Sequence, residues 1–337
     1  MKQSYSIVVC SLNYNVTRIL DVVKLHVESL CNQDNKDLLL VFIDNGSSDN
    51  TTHILKQLLT DIGCKNYMLL KLSRNFGVAA GYNICYEKAK RFNPRAIVVV
   101  NNDVILGKDA IRSLVRFLTG RIGSVQGTLF LRDTNLIDST GYIMSVFGDY
   151  YKLCHQRSLD NCKLATTVKA VTYTHAAFSI YSVDALKHSG DTLYFPYFFL
   201  FGDDYEAGLR LWYAGYASIY VPVFAGYHVG SATISSNPEL HHDYRYWSLV
   251  SHLTIKLLYF LRICAFCVLL SLSFIVLRSV VERDRMILRG LLHSIVLART
   301  LHKRLPHSTN GFPPLIKAHV KSIVVRSIRW LLWKRNY

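Results

Sequence analysis

The chain has 337 residues, half of them hydrophobic and only 18% charged, so it is not a disordered polymer and can build one large core domain with an appendage, or two domains. Its formal net charge is +16, but residues 253–337 hold fifteen Lys/Arg against only Glu282 and Asp284, which leaves the body near neutral. Such asymmetry gives the tail an anionic partner, either a membrane surface or a nucleic acid. The eight cysteines lack the spacing of a secreted disulfide scaffold, and the opening MKQSYSIVVC has too short an apolar run for a signal peptide. A reducing cytoplasm and free thiols are therefore expected, with Cys264 and Cys267 as small buried hydrophobes on a helix.

In chain order, Ser6–Cys10 is a β-branched apolar strand and Thr17–Cys31 has helical periodicity. Leu38–Ile43 is a second strand ending at Asp44, followed by a helix over Asp49–Leu59. Tyr67–Leu72, the helix Gly81–Arg91 and the strand Ala96–Val100 continue the alternation. Short continuous apolar strands between helices predict an α/β fold with a mostly parallel sheet covered on both faces, and ligands then bind at the strands' carboxyl ends. From about 124 to 175 the pattern is irregular; Asp184–Ser189 and Asp203–Tyr213 then read as helices and Tyr216–Pro222 as a late strand. After His242 the character changes. Trp247–Tyr259 is a helix, and Ile263–Leu277 is fifteen uncharged residues between Arg262 and Arg278, short of the roughly 20 that span a bilayer. Met286–Leu301 and Leu315–Trp333 interleave Leu, Ile, Val and Trp with Arg and Lys, the composition of helices lying in a membrane interface. Residues 1–242 thus form one unit and 243–337 a basic, apolar helical C-terminal region.

Five constellations carry chemistry. Asp44, at the end of strand two, can accept hydrogen bonds from a base or ribose, or can close the turn Asn45-Gly46-Ser47 while Asp49 caps the next helix. Arg74 offers a planar fork suited to phosphate, and Gly77 and Gly81 allow close backbone approach before a helix N-terminus; the alternative is a glycine-rich loop with a solvated arginine. Val100-Asn101-Asn102-Asp103 delivers polar groups at the end of a buried strand, where a carboxylate can hold Mg²⁺ or Mn²⁺ beside a diphosphate, or make an Asx-turn. Asp203-Asp204-Tyr205-Glu206 clusters acids behind an aromatic wall; mutual repulsion and burial suit one of them to general base, and dipole complementation at a helix start is the other reading. His228, after a strand, gains weight as a ligand only if Asp103 holds a metal.

These constellations, in this order, resemble the inverting family 2 glycosyltransferases of GT-A fold over roughly residues 5–230, most closely their rhamnosyltransferase-like and galactofuranosyltransferase-like branches. The resemblance implies a GT-A nucleotide-binding sheet as catalytic domain, a nucleoside-diphosphate sugar (uridine or thymidine) as donor, and a saccharide or lipid-linked saccharide as acceptor, in bacterial cell-surface polysaccharide synthesis. It places Asn13, Asp44, Arg74, Gly77 and Asn102 on the nucleotide sugar, Asp103 and His228 on a divalent Mg²⁺ or Mn²⁺, Asp203 on the acceptor and Asp204 as base, with Arg210 following the acidic motif. Two positions depart from the family pattern: Asn101 opens the metal motif, leaving Asp103 as its one carboxylate, and His175 stands where the family usually has Gly. Because the tail's cations lie among aliphatic residues, an anionic membrane rather than nucleic acid is its expected partner, on the cytoplasmic face of the cell membrane, peripherally or with one inserted helix. A sugar nucleotidyltransferase and a basic nucleic-acid-binding protein are the competing readings.

Overall fold

The structure is a computed structural model and describes residues 5–35, 37–230, 238–282, 285–305 and 313–316. β1 (Ile7–Asn13), α1 (Leu20–Cys31), β2 (Leu38–Asp44), α2 (Thr51–Asp61), β3 (Tyr67–Lys71), α3 (Val78–Ala89) and β4 (Ala96–Asn101) realise the expected alternation. β1 pairs in parallel with both β2 and β4, and β2 with β3. Successive residues of β1 feed opposite faces: Val8 and Cys10 join one core, Ile7 and Val9 the other, which is why the strands read as continuous apolar runs.

The second half corrects the expectation of a mostly parallel sheet. β5 (Val104–Leu106), α4 (Ala110–Val115), β6 (Ile122–Leu131), β7 (Ile137–Ser139), β10 (Lys169–Val171), β11 (Phe178–Ser182), α5 (Val183–His188), α6 (Asp203–Tyr213) and β12 (Ala217–His228) extend it to the order β10-β12-β6-β11-β4-β1-β2-β3, with β5 on β12 and β7 on β6, while β8 (Tyr142–Ser145) and β9 (Tyr150–Lys152) belong to a separate small sheet. Here β11 runs antiparallel to both β4 and β6, β12 antiparallel to β5 and β10, and only β12 with β6 is parallel. The turn-linked short strands of residues 122–182 need no helical crossover, and without one antiparallel pairing is the accessible choice. β12 extends well past the expected Tyr216–Pro222, and its end, His228, pairs with Val104 of β5.

The C-terminal helices are α7 (Pro238–Ile255), continued by a π-helical turn Lys256–Phe260, then α8 (Ala265–Glu282) and α9 (Arg285–His302). Val250, Ile255, Tyr259, Val268, Leu297 and Leu301 share one core with Tyr205 and Leu209 of α6, so the helices cover the sheet face that carries the acidic motif. Among the described residues, no helix is long and apolar enough to cross a membrane. Leu315–Ile316 forms β13, parallel to β8, while the rest of the expected helix Leu315–Trp333 lies outside the described residues.

The expectation of free thiols is also corrected: Cys10–Cys85, Cys31–Cys64, Cys154–Cys162 and Cys264–Cys267 are joined as disulfides. The first arises because β1 packs on α3, which brings Cα atoms 75 residues apart in sequence to 6.1 Å, within bridging range. Cys264 and Cys267 are therefore bonded to each other rather than packed as two separate thiols.

Candidate active site

The carboxyl ends of β1, β2 and β4 form the floor of the site. Asn13 lies opposite Asp44 across the β1–β2 ladder, and Leu12 opposite Asn101 across β1–β4. Asn13 is fully buried; its amide donates to Ser11, while its Oδ1 has no hydrogen-bond partner, an acceptor whose burial calls for a ligand donor. Asp44 is buried too, but Oδ1 accepts from the Ser47 amide at 2.9 Å and Oδ2 from the Thr52 hydroxyl. The turn reading of Asp44 is thus realised, and any contact to a base uses the lone pairs that remain.

Asn45, expected only as part of the turn after β2, ties this loop to the next. Its side chain bonds Asn75 Oδ1 (3.0 Å), the Gly77 carbonyl and the Phe76 amide (3.1 Å). Gly77 N–H donates to Asn75 Oδ1, and a Cβ at Gly77 would lie 2.6 Å from the Phe199 carbonyl, with φ at +83°. Its glycine requirement thus comes from the approach of the Phe199 loop, where Val78 N–H donates to the Phe199 carbonyl. Arg74 is exposed and lies over the Phe76 ring at 4.9 Å.

At the end of β4, the Asn101 side chain faces inward: Tyr82 Oη–H is 3.0 Å from both Val100 O and Asn101 Oδ1. Asn102 and Asp103 are buried. The β5–β12 pairing carries His228 to Asp103 from 125 positions away, with Nε2 3.4 Å from Asp103 Oδ1. Two ligands of one octahedral ion, each about 2.1 Å from it, stand roughly 3 Å apart, so the oxygen and nitrogen of this pair fit a divalent cation. Burial works to lower the His228 pKa, but its bonds to Asp103 and to Asp138 outweigh it and hold the ring up at about 9. The imidazolium proton thus sits where a cation would bind.

Asp138 is absent from the sequence-derived site. It is buried, its Oδ2 accepting from His228 Nδ1 at 2.8 Å and its Oδ1 from Lys152 Nζ at 2.5 Å. Burial alone would raise it, but the bond to His228 and the charges of His228 and Lys152 hold it well below the usual carboxylate range. His175 Nδ1 is 3.7 Å from Asp138 Oδ2, and Asp138, His175 and His228 form a group able to hold a metal ion. Burial pushes the His175 ring far below its ordinary value, so it is neutral.

The residue after His175 reaches the acidic motif: Ala176 N–H donates to Asp204 Oδ2 at 3.1 Å. Two successive left-handed residues, Phe201 (φ +64°) and Gly202 (φ +83°), turn the chain into α6, with Ser251 of α7 packed where a Gly202 Cβ would go. The non-glycine Phe201 is the costly member of that turn, and its ring is held edge-on against Tyr244 at 4.6 Å. The acids then divide by role. Burial raises Asp204 to about 6, the Ala176 and Tyr205 amides offsetting part of the shift. Asp203 is pushed further up, by burial and then by the Asp204 carboxylate, and its Oδ2 has no hydrogen-bond partner. Glu206 is structural: it pairs with Arg210 Nε at 3.0 Å and accepts from Tyr259 Oη at 2.7 Å. The chain of contacts Asp103–His228–Asp138–His175, continued through Ala176 to Asp204, joins both ends of the expected site.

Residues 6–188 match the family described as glycosyl transferase family 2, more than half of the chain. The chain belongs to that family. It is a glycosyltransferase with a mixed α/β, GT-A-like nucleotide-binding sheet, and the family assignment displaces the nucleotidyltransferase reading. Among solved structures it is similar to a Pyrobaculum calidifontis mannosyltransferase in complex with GDP-Man and Mn²⁺, at TM-score 0.52 and 12% identity over 90% of this chain and 88% of that one. It is also similar to GalNAc-T7 with UDP, GalNAc and Mn²⁺, at TM-score 0.53 and 14% identity over 66% of this chain and 43% of that one. S. aureus TarS aligns at TM-score 0.49 and 14% identity over 75% of this chain, which spans only 40% of TarS. At these identities the likeness is one of fold. No curated protein matches the glycosyltransferase chain by sequence.

Proposed function

We propose that this glycosyltransferase moves a sugar from a uridine or thymidine diphosphate sugar to a saccharide or lipid-linked saccharide, with inversion, in cell-surface polysaccharide synthesis and within the rhamnosyl- or galactofuranosyl-transferring branch. The observation that carries the reading is the position of Asp204: a half-buried carboxylate with a raised pKa, held by Ala176 one residue from the His175–Asp138–His228 group. At neutral pH it is ionised yet basic enough to take a proton from an acceptor hydroxyl, and the freed oxygen attacks the anomeric carbon opposite the nucleotide. Asp203, whose carboxyl is pushed up by burial and by the neighbouring Asp204, contacts the acceptor. Asn13, Asp44, Asn102 and Arg74 orient the donor, with Gly77 shaping its loop. Asp103 and His228 would hold a divalent Mg²⁺ or Mn²⁺, which supplies charge neutralisation at the leaving diphosphate when bound.

The acceptor end abuts a cavity of about 380 Å³ between the catalytic core and the C-terminal helices, lined by Tyr150, Tyr244, His252, Ile275, Met286 and Ile287. Tyr150 lies 5.7 Å, ring to ring, from Tyr205, the neighbour of Asp204. Beside this cavity α9 exposes Leu288, Leu292 and Val296 together with Arg285, Arg289 and Arg299, an alternation of apolar and cationic groups on one side that suits an anionic lipid surface. These features support peripheral attachment to an anionic membrane surface, with the acceptor's lipid beside α8 and α9.

The test is a donor screen with purified protein and divalent metal, scoring nucleoside diphosphate release and, by NMR, the anomeric configuration of the product. Asp204→Asn should keep donor binding and lose turnover by orders of magnitude; transfer at the normal rate by that variant would remove Asp204 as the base. A released sugar nucleotide instead of a nucleoside diphosphate would overturn the reaction class.

A further inference from the structure

Asp138 lies in none of the motifs that identify the site, yet it makes the shortest polar contact of His228, 2.8 Å between Oδ2 and Nδ1. It stands on β7, whose pairing with β6 sets Ile137 opposite Phe130 and Ser139 opposite Leu129, so a buried strand rather than a loop fixes its position. Its other oxygen is taken by Lys152 of β9, and His155 Nδ1 lies 2.9 Å from its backbone carbonyl.

We infer that Asp138 is a positioning residue that fixes the tautomer and orientation of His228, keeping the proton on Nδ1 so that the Nε2 lone pair faces Asp103 and a shared divalent cation. The inference rests on the proposed metal role of Asp103 and His228. An ionised carboxylate only accepts, so a 2.8 Å contact with Nδ1 requires the proton there. A histidine whose Nδ1 carries the proton can ligate only through Nε2, and Nε2 is the atom 3.4 Å from Asp103. Asp138 could instead be read as a ligand itself, in the group it forms with His175 and His228. Lys152 argues against that. An ammonium 2.5 Å from Oδ1 neutralises the carboxylate and would stand against an incoming cation. The neutral His175 ring, 3.7 Å from Oδ2, packs beside the pair and completes its burial.

The experiment measures Mn²⁺ affinity directly, by the free-ion electron paramagnetic resonance signal, on the full chain with UDP present and no acceptor. Asp138→Asn, close in shape but unable to serve both Lys152 and His228 as an acceptor, should weaken Mn²⁺ binding by about 10- to 100-fold. His228→Ala should weaken it at least as much. Lys152→Ala, which breaks the ion pair but leaves the Asp138–His228 bond, should stay within about threefold of the unmodified chain, as should His175→Ala. A loss on His228→Ala with none on Asp138→Asn would overturn the positioning role alone. Unchanged affinity in His228→Ala would overturn the metal reading beneath it. Equal losses in Lys152→Ala and Asp138→Asn would make Asp138 a purely structural residue, and a loss on His175→Ala would make it a ligand. Should Asp138→Asn fail to fold, histidine ¹⁵N spectra of the unmodified Mg²⁺-loaded protein decide the point, since a His228 carrying its proton on Nε2 overturns the inference.

Discussion

Arg210→Ala is the substitution that most directly tests how the acidic motif is held. Arg210 is fully buried on α6 and donates from all three guanidinium nitrogens: Nε to Glu206, one terminal nitrogen to Ser189 O (2.9 Å) and Thr192 O (3.2 Å), the other to Leu193 O (2.9 Å). Removing it leaves the Glu206 carboxylate buried with Tyr259 as its remaining side-chain partner, and strips side-chain donors from three backbone carbonyls. Breaking a buried pair by deleting one partner costs about 3–5 kcal/mol, much of it the penalty on the abandoned charge. Against a total stability of about 5–15 kcal/mol, that is a large fraction. The assay is urea unfolding at pH 7, with Glu206→Gln and the double variant closing a cycle. The double variant should cost clearly less than the sum of the singles, because no unpaired charge remains. Additive costs, or a loss below about 1 kcal/mol for Arg210→Ala, would refute the account of this pair as the clamp between α6 and the 189–193 loop.

Two further perturbations read other parts of the structure. The folded-state pKa of Asp204 is raised to about 6, so its carboxylate is protonated and inactive below that value; kcat/KM should climb with pH through a limb near 6 and level off above it, and a limb near the ordinary carboxylate value of about 4 would contradict its burial. Leu292 and Val296 are 57% and 64% exposed, so Leu292→Glu with Val296→Glu should leave the unfolding midpoint within error; if α9 lies in lipid, where a buried Leu or Val contributes about 1.5–3 kcal/mol, co-sedimentation with anionic vesicles should fall at least about tenfold, and unchanged binding would remove α9 from the membrane contact.

The parallel half of the fold was legible because each of its strands is a continuous apolar run that ends on a polar residue, and Asp44 and Asn101 stand at the strand ends their patterns imply. The antiparallel half was not. β7, β8 and β9 are three or four residues long, too short for periodicity to show, and Asp138 lies on one of them. A buried aspartate with a lysine and three histidines around it is made by tertiary pairing, so no local pattern marks it. His26 escaped notice for a similar reason. It joins Ser11 Oγ (2.8 Å) to Val104 O (2.7 Å) from α1, and burial drives its pKa down to about 4, which keeps it a neutral pin behind the Asp103 turn. The helix boundaries shifted where caps decide them: Asp49 does bond the first turn of α2, through the Thr51 amide, but the helix begins two residues later than the periodicity suggested. The two longest-range disulfides were illegible for another reason, since Cys10–Cys85 follows from the packing of α3 on β1 and Cys31–Cys64 joins the end of α1 to the loop after α2, neither of which any motif marks.

The asparagine at the head of the Asn101-Asn102-Asp103 run also acquires a physical meaning. The Tyr82 hydroxyl that faces Asn101 is buried, and its pKa is raised first by that burial and then by the Asp203 and Asp103 carboxylates. An acid at 101 would place another carboxylate beside this hydroxyl. The amide accepts the same hydrogen bond without the charge. Asp138 then acts on this site at one remove: it accepts from His228 Nδ1, while Lys152 balances its charge on the far side. Asp103 would then be the one carboxylate among the two side chains, with His228, that would hold a divalent cation. This leaves more of that sphere to the oxygens of a diphosphate.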